Sequence, residues 1–429
     1  MNYNEVLNYL YSHLPMFQRQ GRVAYNAKLD NSLAMDEYFG FPHKKFRSIH
    51  IAGTNGKGSV AHILASVLLE AGFRTGLYTS PHLKDFRERI RVNGVPVPES
   101  KVIDFVTQNQ KLLDRVEPSF FEMSVAMALN YFYDEEVDIA VIETGMGGRL
   151  DSTNIITPVL SVITNIGMDH SIYLGNSLKK IAYEKAGIIK PGVPVVIGET
   201  GKETDHVFIS KARETGSEIV FADRNFSSEY SFMSLDGLQI MNIEKKGGEG
   251  YPELKIDLEG IYQRRNVIAV LQAVEKLNEI EFKINRASLY KGMKLIRKNT
   301  GFRGRWEVLD NDPLIVCDTG HNREGLILVI DQIRQTAWKN LHMVIGMVND
   351  KDLANIFPLF PVEARYYFCR PDIPRGLDSK ILKDKAARYE LTGESYGTVK
   401  AALDAAKQQA GKQDMIFVGG STFVVAEVL

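Results

Sequence analysis

Apolar residues recur along the chain in two rhythms. Between residues 2 and 20, Val6, Leu7, Leu10, Tyr11 and Leu14 fall at helical spacing, and a short helix is predicted over 29–39. Ile49 and Ile51 then run into a glycine-rich turn, Gly53-Thr54-Asn55-Gly56-Lys57-Gly58-Ser59. The helix predicted after it puts Val60, Ile63, Leu64, Val67 and Leu68 on one face and stops near Gly72. Apolar runs at 75–79, 138–143, 159–164 and 193–197 read as strands, separated by helices at 99–116, 120–134 and 177–186. Strands that are nearly all apolar and alternate with helices predict a parallel sheet with both faces covered.

Three stretches depart from that rhythm. Asn93-Gly94 is a hairpin signal. Residues 218–257 alternate over short lengths, with turns at Asp236-Gly237 and 247–250, and predict an antiparallel excursion. Helices at 263–277 and 285–298 follow, and residues 298–304 are polar with two glycines, a plausible linker. Beyond it a second alternation begins, with candidate strands at Leu314–Asp318, 342–346, 366–369 and Met415–Gly419. The predicted fold is α/β. A P-loop-type, mostly parallel sheet flanked by helices occupies 1–298, and a smaller Rossmann-like α/β domain occupies 299–429.

Composition narrows the class. Hydrophobic residues make up 44 % and charged residues 24 % of the 429, as in ordinary soluble proteins. The 52 basic residues balance 53 acidic ones, so nothing draws the whole chain to nucleic acid or to an anionic membrane. Two cysteines, Cys317 and Cys369, form no disulfide framework and suit a reducing compartment. No apolar run approaches the ~20 residues of a membrane span. The expectation is a cytoplasmic monomer that acts on small molecules.

The glycine turn carries the clearest chemistry. Strand, glycine loop with a lysine, then helix is the layout in which backbone N–H groups cradle phosphates and the lysine adds a positive charge. Gly58 stands between Lys57 and Ser59, where the common pattern has Ser or Thr directly after Gly-Lys. In open α/β sheets ligands bind beyond the carboxyl ends of the strands. Ser80, Glu143, and Asp169 with His170 occupy such ends, and the oxygens of Ser80 and Glu143 suit a hard cation such as Mg²⁺. His170 is a less usual partner. Glu143 could equally cap a turn, and Lys185 alone reads as a surface lysine, solvated or paired with Glu184. Arg303, Arg305, Asp318 and His321 flank the start of the second domain and could reach a nucleotide or form a domain-interface ion pair. Asp318 and His321 suggest a hydrolase triad only weakly, since no Gly-x-Ser-x-Gly elbow is present.

Several strings occur together in order: Gly53 to Ser59, Thr79-Ser80-Pro81-His82-Leu83, Glu88-Arg89-Ile90, Glu143 to Asn154, Asp169-His170, Glu184 to Lys190, and Asp318-Thr319-Gly320-His321-Asn322. With them the chain resembles folylpolyglutamate synthase, including the bacterial form that is also dihydrofolate synthase, in the Mur ligase superfamily. The resemblance is weakest over 15–46 and 200–260. It implies that Asn55, Gly56, Lys57, Gly58 and Ser59 hold ATP phosphates and that Ser80 and Glu143 hold one Mg²⁺, with His170 helping to hold a second. It implies that Lys185 is carbamylated and that Asn266, Arg305 and Asp318 contact the nucleotide, with His321 near the phosphates. Lys57, Lys185 and His321 would then be the catalytic set. Phe121, Glu122, Leu150, Asp151 and Ser152 fall where the family binds the pterin.

The implied reaction is ATP-dependent addition of L-glutamate to a folate or to dihydropteroate through an acyl phosphate. Two other readings compete: a Mur-type ligase of cell-wall peptides, and a P-loop nucleotide switch without ligase chemistry. The switch leaves Lys185 and the Gly145 to Asn154 stretch unexplained.

Overall fold

The computed structural model describes residues 1–16, 28–228, 230–349 and 352–429. They form two compact units, Met1–Asp257 with Gln263–Phe302, and Leu258–Tyr262 with Arg303–Leu429. The helix predicted over 2–20 is helical at Tyr3–His13, where Asn2 and Glu5 close a capping box. Residues 17–20 of that prediction lie outside the described residues.

The first unit is built on eight strands: β1 (Arg47–Ala52), β2 (Thr75–Tyr78), β3 (Ile90–Val92), β4 (Val95–Pro96), β5 (Ile139–Glu143), β6 (Leu160–Ile163), β7 (Val195–Ile197) and β8 (Ile219–Phe221). Their order is β4-β3-β2-β5-β1-β6-β7-β8. All pairs are parallel except β2–β3 and β3–β4. Asn93 and Gly94 take positive φ in the tight turn joining β3 to β4, as the hairpin signal predicts. β1 lies at the centre with β5 and β6 on either side, so the carboxyl ends of these three strands open on one crevice.

Three predicted elements change. The 99–116 helix is two, Glu99–Gln108 and Gln110–Val116, broken at Asn109, whose backbone leaves the helical region at φ −109° and ψ 13° while its side-chain amide joins its N–H on the Phe105 carbonyl. The 285–298 helix also divides, into Arg286–Lys294 and Ile296–Thr300. The 218–257 excursion begins later than predicted, since β8 joins the parallel sheet beside β7. The antiparallel sheet proper holds β9 (Phe226–Ser227), β10 (Ser231–Met233), β11 (Gln239–Lys245) and β12 (Tyr251–Ile256).

The Lys57–Glu70 helix is buried on every side from Ser59 to Leu68, not on one face alone. The sheet covers one side, and helices Gln263–Glu279 and Arg286–Lys294 cover the other. A Cβ on Gly292 would sit 2.5 Å from Val67 Cα, and Ser66 Oγ donates to the Gly292 carbonyl at 2.6 Å. Glycine is what lets these two helices touch.

The second unit holds a six-stranded sheet: β13 (Glu307–Asn311), β14 (Leu314–Asp318), β15 (Leu341–Ile345), β16 (Arg365–Phe368), β17 (Gly393–Ser395) and β18 (Met415–Gly419). The order is β13-β14-β18-β15-β16-β17, parallel except for β13–β14. β13 and β17 escape the sequence reading because each is a sheet-edge strand with exposed polar positions. Among the described residues no helix is long and apolar enough to cross a membrane.

Candidate active site

The glycine loop leaves β1 and is held by the end of β6. Thr164 Oγ1 donates to the Asn55 carbonyl at 2.6 Å, and Asn165 Oδ1 accepts from Asn55 N–H at 2.9 Å. Thr54 N–H donates to the Asn165 carbonyl, and Thr54 Oγ1 accepts from Gly167 N–H. The glycines are required by contact as well as by φ. A Cβ on Gly53 would meet Thr164 Oγ1 at 1.8 Å, and one on Gly56, at φ +83°, would meet Asn266 Oδ1 at 2.2 Å. Asn266 therefore stands against the loop, steadied through Gln263, whose Nε2 lies 3.3 Å from Ser59 Oγ. Gly58 faces the Glu143 carboxylate, which a Cβ there would approach to 3.6 Å.

Two lysines converge on one carbonyl. Lys57 Nζ donates to Gly53 O at 3.1 Å and to Thr54 O at 3.3 Å, and Lys185 Nζ donates to Gly53 O at 2.7 Å. Lys185 is buried, with its pKa pushed down to about 7 by desolvation and then by the Lys57 charge, against Asp169 and Asp151. This overturns the surface-lysine reading. Glu184 pairs instead with Arg149, at 2.9 Å.

Ser80 and Glu143 meet beyond β2 and β5, where Ser80 N–H donates to Glu143 Oε2 at 3.1 Å. His170 takes a left-handed conformation beside Asp169, at 3.8 Å. No three His, Cys, Asp or Glu side chains cluster as a metal cage among the described residues. A buried carboxylate and a serine at the mouth of a phosphate loop still suit Mg²⁺, which takes few protein ligands and completes its shell with phosphate and water.

Much of the remaining motif text holds the site's walls together. Asp151 accepts from Met146 N–H at 2.8 Å and from Thr153 N–H at 3.1 Å, and burial raises its pKa. Thr153 Oγ1 lies 2.8 Å from His50 Nε2 on β1, and burial pushes the pKa of His50 down to about 3. Asn154 Nδ2 donates to the Arg149 and Gly187 carbonyls, and a Cβ on Gly187 would strike Arg149 Cα at 2.3 Å. The Glu143 to Asn154 and Glu184 to Lys190 strings thus pack on each other. Glu122 closes a capping box with Ser119 at the head of helix Phe120–Asp134. Phe121 packs its ring on Gly145, while Ser152 is buried and Leu150 half-exposed. Glu88 and Arg89 stand in the motif strings with no role assigned to them. Arg89, buried, donates from Nε to His82 Nδ1 at 2.8 Å, and Glu88 accepts from the N–H groups of Leu83, Lys84 and Asp85.

In the second unit Asp318 ends β14. Its Oδ1 accepts from Gly320 N–H and its Oδ2 from Trp306 N–H, each at 2.7 Å, and Tyr262 Oη also donates to Oδ2. His321 Nδ1 lies 3.0 Å from the Thr319 carbonyl. Arg303 pairs with Glu307 inside this unit, at 2.6 Å. Arg305 is half-buried and contacts the Gly304 carbonyl.

Against known proteins, residues 51–274 match the Mur ligase middle domain, and residues 304–422 match the Mur ligase glutamate ligase domain. Together with the loop-bearing parallel sheet, these matches define a Mur-type ligase. The chain is 34 % identical to a probable bifunctional folylpolyglutamate synthase/dihydropteroate synthase of Haloferax volcanii, covering 100 % of this chain and 50 % of that protein. It thus spans about half the length of that relative. It is 32 % identical to the dihydrofolate synthase/folylpolyglutamate synthase of Bacillus subtilis, with 95 % of this chain and 96 % of that one covered. The solved structure of E. coli FolC in complex with DHPP and ADP superposes with a TM-score of 0.84 at 25 % identity, covering 100 % and 97 % of the two chains. The chain belongs to the folylpolyglutamate synthase family.

Proposed function

We propose that this chain ligates L-glutamate to the γ-carboxylate of a folate, and to dihydropteroate, with ATP as the energy source. The observation that carries the reading is Lys185, a buried lysine set 2.7 Å from the Gly53 carbonyl. A phosphate loop that only binds and releases nucleotide has no need of it, whereas a lysine poised near neutrality can be carbamylated. Its neutral amine attacks CO₂, forms the N–C bond and releases a proton, which turns a cation into an anion beside the phosphates.

In this reading the turn Asn55 to Gly58 and the helix that includes Ser59 receive the phosphates, and Lys57 swings from the Gly53 and Thr54 carbonyls to the transferred group. Ser80 and Glu143 would hold one Mg²⁺ and His170 would help hold a second; bound there, the ions neutralise charge on the phosphates. Asn266, Arg305 and Asp318 contact the nucleotide, and His321 lies near its phosphates. An acceptor carboxylate oxygen attacks the γ-phosphorus and ADP departs. The glutamate amine then attacks the acyl carbon, loses a proton, and phosphate leaves as the amide forms. Phe121, Glu122, Leu150, Asp151 and Ser152 line the pterin side.

Release of ADP from MgATP tests the reading. It should require both L-glutamate and a pterin acceptor, tetrahydrofolate or dihydropteroate. ADP release at the same rate without either co-substrate would favour the nucleotide switch.

A further inference from the structure

Asp318 does more than end a strand. Its two oxygens take three donors from three places: Gly320 N–H, Trp306 N–H and the Tyr262 hydroxyl. Trp306 is bulky, yet its φ is +41°, a conformation that is costly outside glycine and persists only where its surroundings fix it. Its ring is buried and lies 6.5 Å from that of Phe417, so the core holds one end of the residue and Asp318 the other. Arg305 and His321 adjoin two of the three bonded positions. Tyr262 is the third, and it comes from a distant part of the chain. It closes Leu258–Tyr262, a short segment that packs with the second unit although both its neighbours in sequence belong to the first. Ile261 N–H to Gln332 Oε1 at 2.8 Å, and Gln332 Nε2 to the Glu259 carbonyl at 2.9 Å, fasten the same segment. Burial and the Asp318 charge push the Tyr262 phenol well above its usual range, so it stays a donor. The next residue, Gln263, opens the helix that carries Asn266.

We propose that Tyr262 is a positioning residue for nucleotide binding: its hydroxyl fixes the Asp318 carboxylate, which in turn holds the Trp306 turn and sets the Arg305 guanidinium. The inference rests on the function proposed above.

The test compares full-length wild type with Tyr262→Phe, which removes one oxygen and leaves the ring. Binding of a non-hydrolysable ATP analogue, measured by calorimetry, should weaken about tenfold in the variant, the scale of one hydrogen bond to a charged group. Its KM for ATP should rise alike, while its KM for L-glutamate stays at the wild-type value. Tyr262→Phe added to Arg305→Ala should cost no more than Arg305→Ala alone, because Tyr262 acts through that arginine. Wild-type analogue affinity in Tyr262→Phe overturns the inference, as does a rise in the KM for L-glutamate by the same factor as that for ATP. Failure of wild type to bind the analogue overturns the proposed function, and this inference with it.

Discussion

At the scale of single residues, Lys185 sets the sharpest expectations. Its pKa falls from 10.5 to about 7 in the folded chain. Between those values the unfolded chain keeps a proton that the folded chain has released, so this site adds stability as pH rises through the window. Below it the buried charge is at its most costly. Lys185→Met should therefore gain most in melting temperature over wild type at about pH 6, and the gap should shrink by about pH 9. Thermal unfolding at both values checks the sign; a gap that widens with pH would contradict it. Glu143→Gln keeps the shape and removes the charge that the proposed Mg²⁺ would meet. Its kcat/KM should drop by at least about a hundredfold, the upper end of what losing an outer-shell partner of a metal ligand costs, while nucleotide-free stability holds. Gly56→Ala places a methyl 2.2 Å from Asn266 Oδ1 at a left-handed φ, so both stability, by about 1–3 kcal/mol, and ATP affinity should fall.

At the scale of elements, the strings that look catalytic divide between chemistry and carpentry. Asp151, Asn154, Gly187, Glu88 and Arg89 spend their polar groups on neighbouring backbone or side chains, and that bonding fixes the turns from which Ser80, Glu143 and Lys185 project. Gly292 does the same for the loop's own helix. Gly292→Ala should destabilise by about 1–3 kcal/mol through overpacking against Val67, leaving the KM values for ATP, L-glutamate and the acceptor near wild type; denaturant unfolding beside steady-state kinetics separates the two effects. These elements also mark how far the sequence could be read. The parallel strands were legible because both sheet faces are covered and the runs are apolar. β13 and β17 were not, since edge strands need no such pattern. The break at Asn109 is a local turn of the backbone that apolar periodicity does not register. Lys185 looked ordinary because its burial comes from the Gly53 loop, 132 residues away.

At the scale of the whole molecule, three chain crossings join the two units, at 257–258, 262–263 and 302–303. The predicted linker at 298–304 contains the last, while the first two lie in a stretch with no linker signal. The family follows from the matches over both units. The acceptor is what separates a folate ligase from a cell-wall peptide ligase. The decisive measurement is the mass of the product formed from MgATP, L-glutamate and either tetrahydrofolate or dihydropteroate. Ligation predicts an acceptor heavier by one glutamyl residue, absent with Lys185→Ala. No glutamylated product from either acceptor, with turnover of a muramyl precursor instead, would contradict it.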